Sequence, residues 1–481
     1  MERRWKVLIV NSVAVFMALL DVTIVNIAFP DVRASFRGDS LADLSWVLNG
    51  YAVVFAAALI PAGRLADRFG RKRIFLAGVV VFLAASAACG LAGSVWVLVA
   101  ARMVQGLGGA VLVPTSLSLI LPEFPAEQRA TATALWTATG AVAAAAGPSL
   151  GGLLVDWQGW RAVFFVNLFI GLPMLVPARR LLRESRDESA AGWPDLVGAV
   201  LLLAGIGALA LAIVKGQDWG WGSVRVLATA AGALVAIAIF VRRSAVHPRP
   251  VVDLGLFRIR SFAVASAGTF IFGVGFFGLL LCNVLFLTTA WHYTILHAGV
   301  ALSPAPLAAA ALAPLSGRLS DRYGQRVVAI PGNLLFGLGP LLLILRTGSQ
   351  PDYWSDFLPA AIVAGMGVGL SLPAFGSAAV AELPRARFAT GSAIASCFRQ
   401  LGAVVGIAAL VAVLSSAPPG DAMTAFHRAW SVVAASGLLA ALVSIALGRV
   451  RARDVATVEA AVPRNAERPE TRTSSSKTSL T

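Results

Sequence analysis

Gly63-Arg64-Leu65-Ala66-Asp67-Arg68-Phe69-Gly70-Arg71-Lys72 recurs as Gly317-Arg318-Leu319-Ser320-Asp321-Arg322-Tyr323-Gly324-Gln325-Arg326, 254 residues further on. Six of the ten positions are identical, and most of the others match in type. A single G-x-L-x-D-R would be weak. Two copies at equivalent places in two series of apolar runs mark an internal repeat. Adding 254 to the first apolar run, 7–29, lands on the ninth, 262–289.

A helix crossing about 30 Å of hydrocarbon needs roughly 20 apolar residues. On that basis spans are predicted near 7–29, 46–62, 74–94, 96–121, 130–155, 162–177, 194–214 and 222–241. The second series lies near 262–289, 297–317, 327–345, 356–381, 388–414 and 428–447, about fourteen in all. The runs are continuous rather than alternating every second residue, which argues against a closed barrel. With the repeat, they predict an all-α integral membrane protein of two pseudo-symmetric six-helix bundles plus two inserted helices. The bundles fall at 1–180 and 261–450, a central loop with the inserted helices at 181–260, and a disordered cytoplasmic tail at 451–481. Parallel repeats of six helices suit alternating access, with a site near the midplane between the halves.

The 481-residue chain is 58% hydrophobic and 13% charged, with mean hydropathy +0.80. An ordinary soluble protein is roughly a quarter charged. The residues for several polar shells are missing, which excludes a soluble enzyme, a disordered protein and a disulfide scaffold. Cys89, Cys282 and Cys397 each sit in an apolar run and read as small buried hydrophobes. The N-terminal basic stretch and apolar run look like a signal peptide. However, the run from Val7 to Phe29 is too long for a cleaved segment, and no small-x-small site follows it. It reads as the first span.

The net charge is +15, from 39 Lys+Arg against 24 Asp+Glu. One alternating set of loops, the set holding the N-terminus, carries 23 of the Lys+Arg; the other carries 6. Short cytoplasmic loops keep the positive residues, so both termini are expected in the cytoplasm. The excess is thus a topology signal rather than a nucleic-acid footprint. The tail is expected to be solvated, with contact to anionic lipid as the alternative.

Several motifs along these spans resemble those of the major facilitator superfamily, in particular its fourteen-helix drug:proton antiporter family. They are Leu20-Asp21-Val22-Thr23-Ile24-Val25-Asn26 through Pro30 in the first span, and Gly63 to Arg73 between the second and third. Arg102-Met103-Val104-Gln105-Gly106-Leu107-Gly108, Gly147-Pro148-Ser149-Leu150-Gly151-Gly152 and Trp160-Arg161 through Asn167 follow in the fourth, fifth and sixth. The resemblance covers nearly the whole chain to about residue 450. One departure is Ala143, where the fifth-span motif has glycine. The resemblance implies proton-coupled export of lipophilic small molecules by alternating access.

Asp21 is the most informative residue. It lies about eight residues before Phe29, or roughly 12 Å below the outer end of its helix. A short carboxylate cannot snorkel that far, so it faces a cavity, finds a partner or stays protonated. Arg102 enters the fourth span from the same side, at a similar depth. The two are expected to meet, giving a carboxylate with two protonation states as proton coupling requires. The alternative is a static ion pair that fixes helix positions. Arg399, followed by Gln400, sits mid-span with no acid at its depth. It could bind carbonyls, line the cavity, meet an anionic substrate group or serve structure alone.

By the resemblance, Asp67 faces the neighbouring half, and Arg71 pairs with Glu123 at the end of the fourth span. Gly63, Arg68 and Gly70 complete this conformational latch, with Asp321 and Arg322 in the second copy. Simple positive-inside anchoring is the alternative for the arginines. Gly147, Gly151 and Gly152 permit close helix approach and Pro148 a kink, which reads as a bendable contact between the halves. Asn26, Phe55, Gln105, Trp136, Phe272, Phe276 and Arg399 are the candidate substrate cavity.

Gly365-Met366-Gly367-Val368-Gly369 lies within a span with no strand before it, so it reads as helix contact rather than a nucleotide loop. No Walker A run exists, which disfavours an ATP-driven pump. The four histidines lack metal spacing, and no catalytic residue, metal or cofactor is expected. The expected partners are a small lipophilic substrate, neutral or weakly charged, with protons and the bilayer of the cell membrane; a monomer is expected. Two rivals stay open. One is an exporter of a single host metabolite or antibiotic, and the other is a non-transporting membrane sensor or scaffold.

Overall fold

The computed structural model describes residues 2–125, 128–186, 193–248, 250–383, 387–416 and 422–447. The tail expected at 451–481 lies outside them. The first series of helices is α1 (Arg3–Ser35), α2 (Leu41–Phe69), α3 (Arg71–Gly90), α4 (Val95–Ile120), α5 (Arg129–Gln158) and α6 (Ala162–Leu181). An inserted pair follows, α7 (Leu196–Val214) and α8 (Val224–Val246). The second series is α9 (Arg260–Leu285), α10 (Ile295–Leu302), α11 (Pro304–Tyr323), α12 (Gln325–Arg346), α13 (Leu358–Ala378), α14 (Phe388–Ser415) and α15 (Ala422–Ile445). Fourteen helical stretches are long and apolar enough to cross a membrane, α10 and α11 together making one of them.

Several helices outrun their apolar stretches. α1 continues past Asp31 and Arg33 to Ser35, because the backbone ladder persists in the headgroup region where charged side chains are hydrated. Ser40, Ser94, Ser223 and Thr294 cap helix starts by accepting the N–H three residues on. The tenth span breaks at Ser303-Pro304, where proline has no N–H to continue the ladder. The repeated decapeptide acquires a backbone meaning. Gly70 (φ 114°) and Gly324 (φ 91°) turn the chain between α2 and α3 and between α11 and α12, in a region that L side chains avoid.

α1 lies on α5 and α6, and α4 lies between α2 and α3. In the second series α9 lies on α14 and α15, and α13 lies between α11 and α12. Glycines set these approaches. A Cβ on Gly106 of α4 would come within 2.8 Å of the Tyr51 carbonyl of α2. Gly365 and Gly369 face the α11 backbone and Gly367 faces Phe336 of α12, so this Gly-rich stretch is helix contact.

The two series meet through α2 with α14 and α5 with α10. Asp31, near the end of α1, accepts from Trp160 N–H at 2.8 Å, so the ends of α1 and α5 share one membrane face. The α5–α10 contact lies toward that far face, away from the N-terminus. The inserted α7 touches both series, packing on α2 and α14, while α8 leans mainly on α7.

Candidate functional site

α1 places Asp21 and α4 places Arg102 so that Arg102 Nη1 donates to Asp21 Oδ2 at 2.5 Å. Both side chains are sealed, at 0% and 1% exposure. Arg102 Nε donates to the Val47 carbonyl of α2 at 3.1 Å, and its guanidinium lies 4.3 Å over the Tyr51 ring. The other carboxylate oxygen of Asp21 accepts from Gln105 Nε2 at 2.9 Å and Asn167 Nδ2 at 3.1 Å. Ser86 of α3 accepts from both of those amides and donates to the Phe164 carbonyl. Five helices thus converge on one carboxylate. Burying a charge is tolerable only when it is paired and hydrogen-bonded, which this shell provides.

Arg102 also borders a small cavity of about 20 Å³ where the two series meet. Its lining includes Asn26 and Tyr51 from the first series and Phe277, Gln400 and Ala403 from the second. Asn26 Oδ1 and Tyr51 Oη are buried there without hydrogen-bond partners among the described residues. A space of this size holds about one water, and its polar rim suits one. Asp21 stands behind Arg102, outside that lining. A larger cleft, about 460 Å³, lies at the far face between α1 and α9, lined by Arg33, Arg37, Asp39 and Thr289 among others. It holds neither Asp21 nor Arg102.

The cavity expectations need correction. Gln105 belongs to the Asp21 shell. Phe272 is fully buried inside the second series, with its ring centroid 4.7 Å from Phe336 and 6.4 Å from Phe375. Phe55 is 4% exposed and stacks with Tyr51 against Gly109. Trp136 donates to Ser116 of α4 and packs near Leu8 and Phe124. Hydrophobicity alone does not say which face of a span an aromatic occupies. Phe276 is partly exposed and meets Phe277 edge-on at 5.1 Å. Arg399 is half-buried and makes no hydrogen bond or ion pair among the described residues; its Nε is buried. Tyr51, Phe277 and Gln400 were missed, as were Ser86 and Asn167 as Asp21 partners; a polar side chain at midspan depth is the signal that could have found Ser86 and Gln400.

The latch pairing also differs. Arg71 donates to Asp67 at 2.8 Å, four residues back across the Gly70 turn, and Glu123 pairs instead with Arg3 at 3.1 Å. Arg3 also bonds the Leu181 carbonyl, tying α1, α4 and α6 at the N-terminal face. Arg68 stacks over Trp193, 4.6 Å from its ring, and Gly63 contacts Pro114 of α4. Glu184, unforeseen, accepts from the N–H groups of Lys72 and Arg73 and so caps α3. A Cβ on Gly70 would strike the Glu184 carboxylate at 2.6 Å. Asp321 and Arg322 are exposed and form no ion pair among the described residues. In this conformation every described contact of Asp67 and Arg71 stays within the first series and its following loop.

The fifth-span motif divides its work. Gly147 and Gly151 face Thr23, Ile24 and Ile27 of α1, not the second series. Gly152 and Pro148 do face it. A Cβ on Gly152 would reach the Leu296 backbone at 3.0 Å, and Gly299 of α10 sits against the Pro148 carbonyl. The Ser149 and Ser303 hydroxyls bond each other at 2.5 Å. Ala143 is fully buried, so the small volume required there is kept.

The model of the Major Facilitator Superfamily matches residues 12–282 and 265–477. The chain belongs to this superfamily. Among superfamily relatives, the multidrug resistance protein Stp of Mycobacterium tuberculosis is 38% identical over 411 residues, covering 85% of this chain and 75% of the relative. The tetracenomycin C resistance and export protein of Streptomyces glaucescens is 37% identical over 333 residues, covering 69% of this chain and 62% of that protein. A solved POT family transporter in complex with 5-aminolevulinic acid superposes with TM-score 0.66 at 15% identity, covering 92% of this chain and 96% of that one. The nucleoside transporter NupG superposes with TM-score 0.64 at 12% identity, over 93% and 100%. At such identities the likeness speaks for the fold. Superfamily membership makes the chain a transporter, a multi-pass protein of the cell membrane, and not an enzyme.

Proposed function

We propose that the chain exports lipophilic small molecules, drugs or antibiotics, in exchange for protons by alternating access. The observation that carries this reading is the sealed Asp21–Arg102 pair beside a small cavity at the junction of the two series. Relatives named for multidrug resistance and for tetracenomycin C resistance and export support the substrate class. The working units are a half over 1–180 and a half over 261–450, joined by the inserted segment 181–260, with both termini cytoplasmic and a single chain sufficing.

Arg102 is the link between cargo and proton, because it touches both the Asp21 carboxylate and the cavity. A substrate that draws Arg102 toward the cavity weakens its hold on Asp21; a proton on Asp21 releases Arg102 in turn. Two protonation states then belong to two conformations. The Ser149–Ser303 and Gly152–Leu296 contacts form the far-face seal, and opening that face separates them. The Asp67–Arg71 loop closes the opposite face after exchanging its partners. One proton moving inward contributes about 2.3 kcal/mol per 100 mV, and a neutral cargo leaves that contribution undiminished.

The test is reconstitution in proteoliposomes. Substrate-dependent proton movement down an imposed pH gradient is expected, and its absence across a broad panel rejects export in favour of a sensor or scaffold. A narrower cargo is the second reading, favoured by relatives named for tetracenomycin C export and probable actinorhodin transport. A susceptibility panel in an efflux-deficient host separates them: protection against one chemical class supports the narrow reading.

A further inference from the structure

Among the described residues of the second half, Asp321, Asp352, Asp356 and Glu382 all stand at helix ends or in loops. No helix interior there holds a carboxylate, yet Arg399 stands near the middle of α14. It makes no ion pair or hydrogen bond among the described residues, and its Nε is buried unpaired. Its backbone is held tightly, because a Cβ on Gly273 of α9 would meet the Arg399 carbonyl at 2.7 Å.

The direction of Arg399 follows from the helix. At 3.6 residues per turn, Ser392, Ser396 and Ala403 lie within about 60° of it. Ala403 lines the cavity between the halves, Ser392 is exposed and Ser396 half-buried. Gly402 and Gly406, equally near in angle, pack on the α9 backbone, so Arg399 stands where the α9 contact borders the cavity lining. Arg102 is already neutralised by Asp21. The interior charges at the junction sum to one uncompensated positive charge. A guanidinium does not shed its proton, and one held half-buried at midspan depth without an anion is poorly compensated.

We propose that Arg399 is the counter-charge for the cargo, so that the exported class is amphipathic organic anions: an apolar body bearing a carboxylate, sulfonate or acidic phenolate. This rests on the export reading above and changes the neutral cargo expected from sequence. The planar fork of arginine matches such a group with two parallel hydrogen bonds. Phe277 on the cavity wall, with Phe276 beside it, offers an apolar surface for the body once the halves part and the one-water space widens. An anion leaving and a proton entering both follow an inside-negative potential, so the two fluxes do not oppose each other electrically.

The test uses the full chain in phosphatidylcholine nanodiscs, which contain no anionic lipid to compete. The probes are anthracene-9-carboxylate, its methyl ester, and 9-aminomethylanthracene. The wild type is expected to bind the carboxylate about tenfold or more tighter than the ester, the scale of one charged hydrogen-bonded pair, and the amine no better than the ester. Arg399→Gln loses that preference while binding the ester as before, which also shows that it is folded; Arg399→Lys keeps part of it. Equal binding of the three probes by the wild type, binding of none of them, or an unchanged preference in Arg399→Gln overturns the proposal. If Arg399→Gln fails to fold, Arg399→Met reads the same preference, and a carboxylate preference unchanged from wild type there decides against the proposal. Carboxylate preference without any proton-driven flux in liposomes sinks the export reading and leaves the anion site standing.

Discussion

Arg102 holds Asp21 from α4 while its Nε holds the Val47 carbonyl, so one guanidinium clasps α1 and α2 around a carboxylate that no solvent reaches. Removing one partner of such a pair leaves a buried charge unpaired and costs about 3–5 kcal/mol, whereas removing both is far milder. Asp21→Asn alone is therefore expected to lower thermal stability in detergent as well as abolish proton coupling. The double variant Asp21→Asn/Arg102→Gln recovers most of the stability and none of the coupling. Export that still follows the pH gradient in either variant removes Asp21 from the mechanism.

Asn167 and Ser86 brace the same carboxylate from α6 and α3. Asn167→Leu deletes a donor to Asp21 and leaves Ser86 short of a partner, a loss of about 1–3 kcal/mol for buried groups. Asn167→Ser keeps a donor and is expected to cost less. Unfolding midpoints of the two variants check the order, and equal midpoints show that the shell contributes nothing.

At the far-face seal, Gly152 and Gly147 answer differently to bulk. Gly152→Val pushes against the Leu296 backbone across the junction and is expected to prop that face open. Gly147→Val strikes Thr23 within the first half and is expected to destabilise without changing access. Labelling of a cysteine at Ser303 by a membrane-impermeant thiol reagent, in each background, reads the difference. Unchanged labelling in Gly152→Val tells against a gate at this contact.

The inserted pair is fastened at both membrane faces. Lys215, at the end of α7, bonds Asp43 of α2 at 2.9 Å and Asp218 at 3.1 Å, and Trp193 meets Arg68 at the opposite face. Burial pulls the Lys215 ammonium down, but the two carboxylates outweigh it and hold its pKa above the ordinary 10.5. Its stabilising contribution is thus fully present below pH about 10.5 and fades only as pH rises through the higher folded value. Lys215→Met is expected to cost about 1 kcal/mol at pH 7, the upper end for ion pairs that water still reaches. The gap from wild type closes above that range; a gap constant to pH 11 contradicts the assignment.

Much was legible in the sequence because a bilayer simplifies the solvent problem. Asp21 and Arg102 were readable as partners because each is intolerable alone at that depth, and their depths agree. Gly70 and Gly324 were readable as a repeat. The partner that Arg71 takes in this conformation was not readable: Arg71 and Glu123 both lie at the polar face, where several counter-charges compete and distance decides. Phe272 and Phe55 could not be assigned to a face, because a span in this fold is apolar all round.

The apolar run lengths, the 254-residue repeat and the asymmetry of the basic loops determined the helix count and the plan of two related series. Hydrocarbon enforces these locally, residue by residue. Which side chains surround Asp21, and that α7 bridges both series, were decided only by tertiary structure. Those outcomes depend on how helices rotate about their axes when glycines let backbones close, a degree of freedom that no single span encodes.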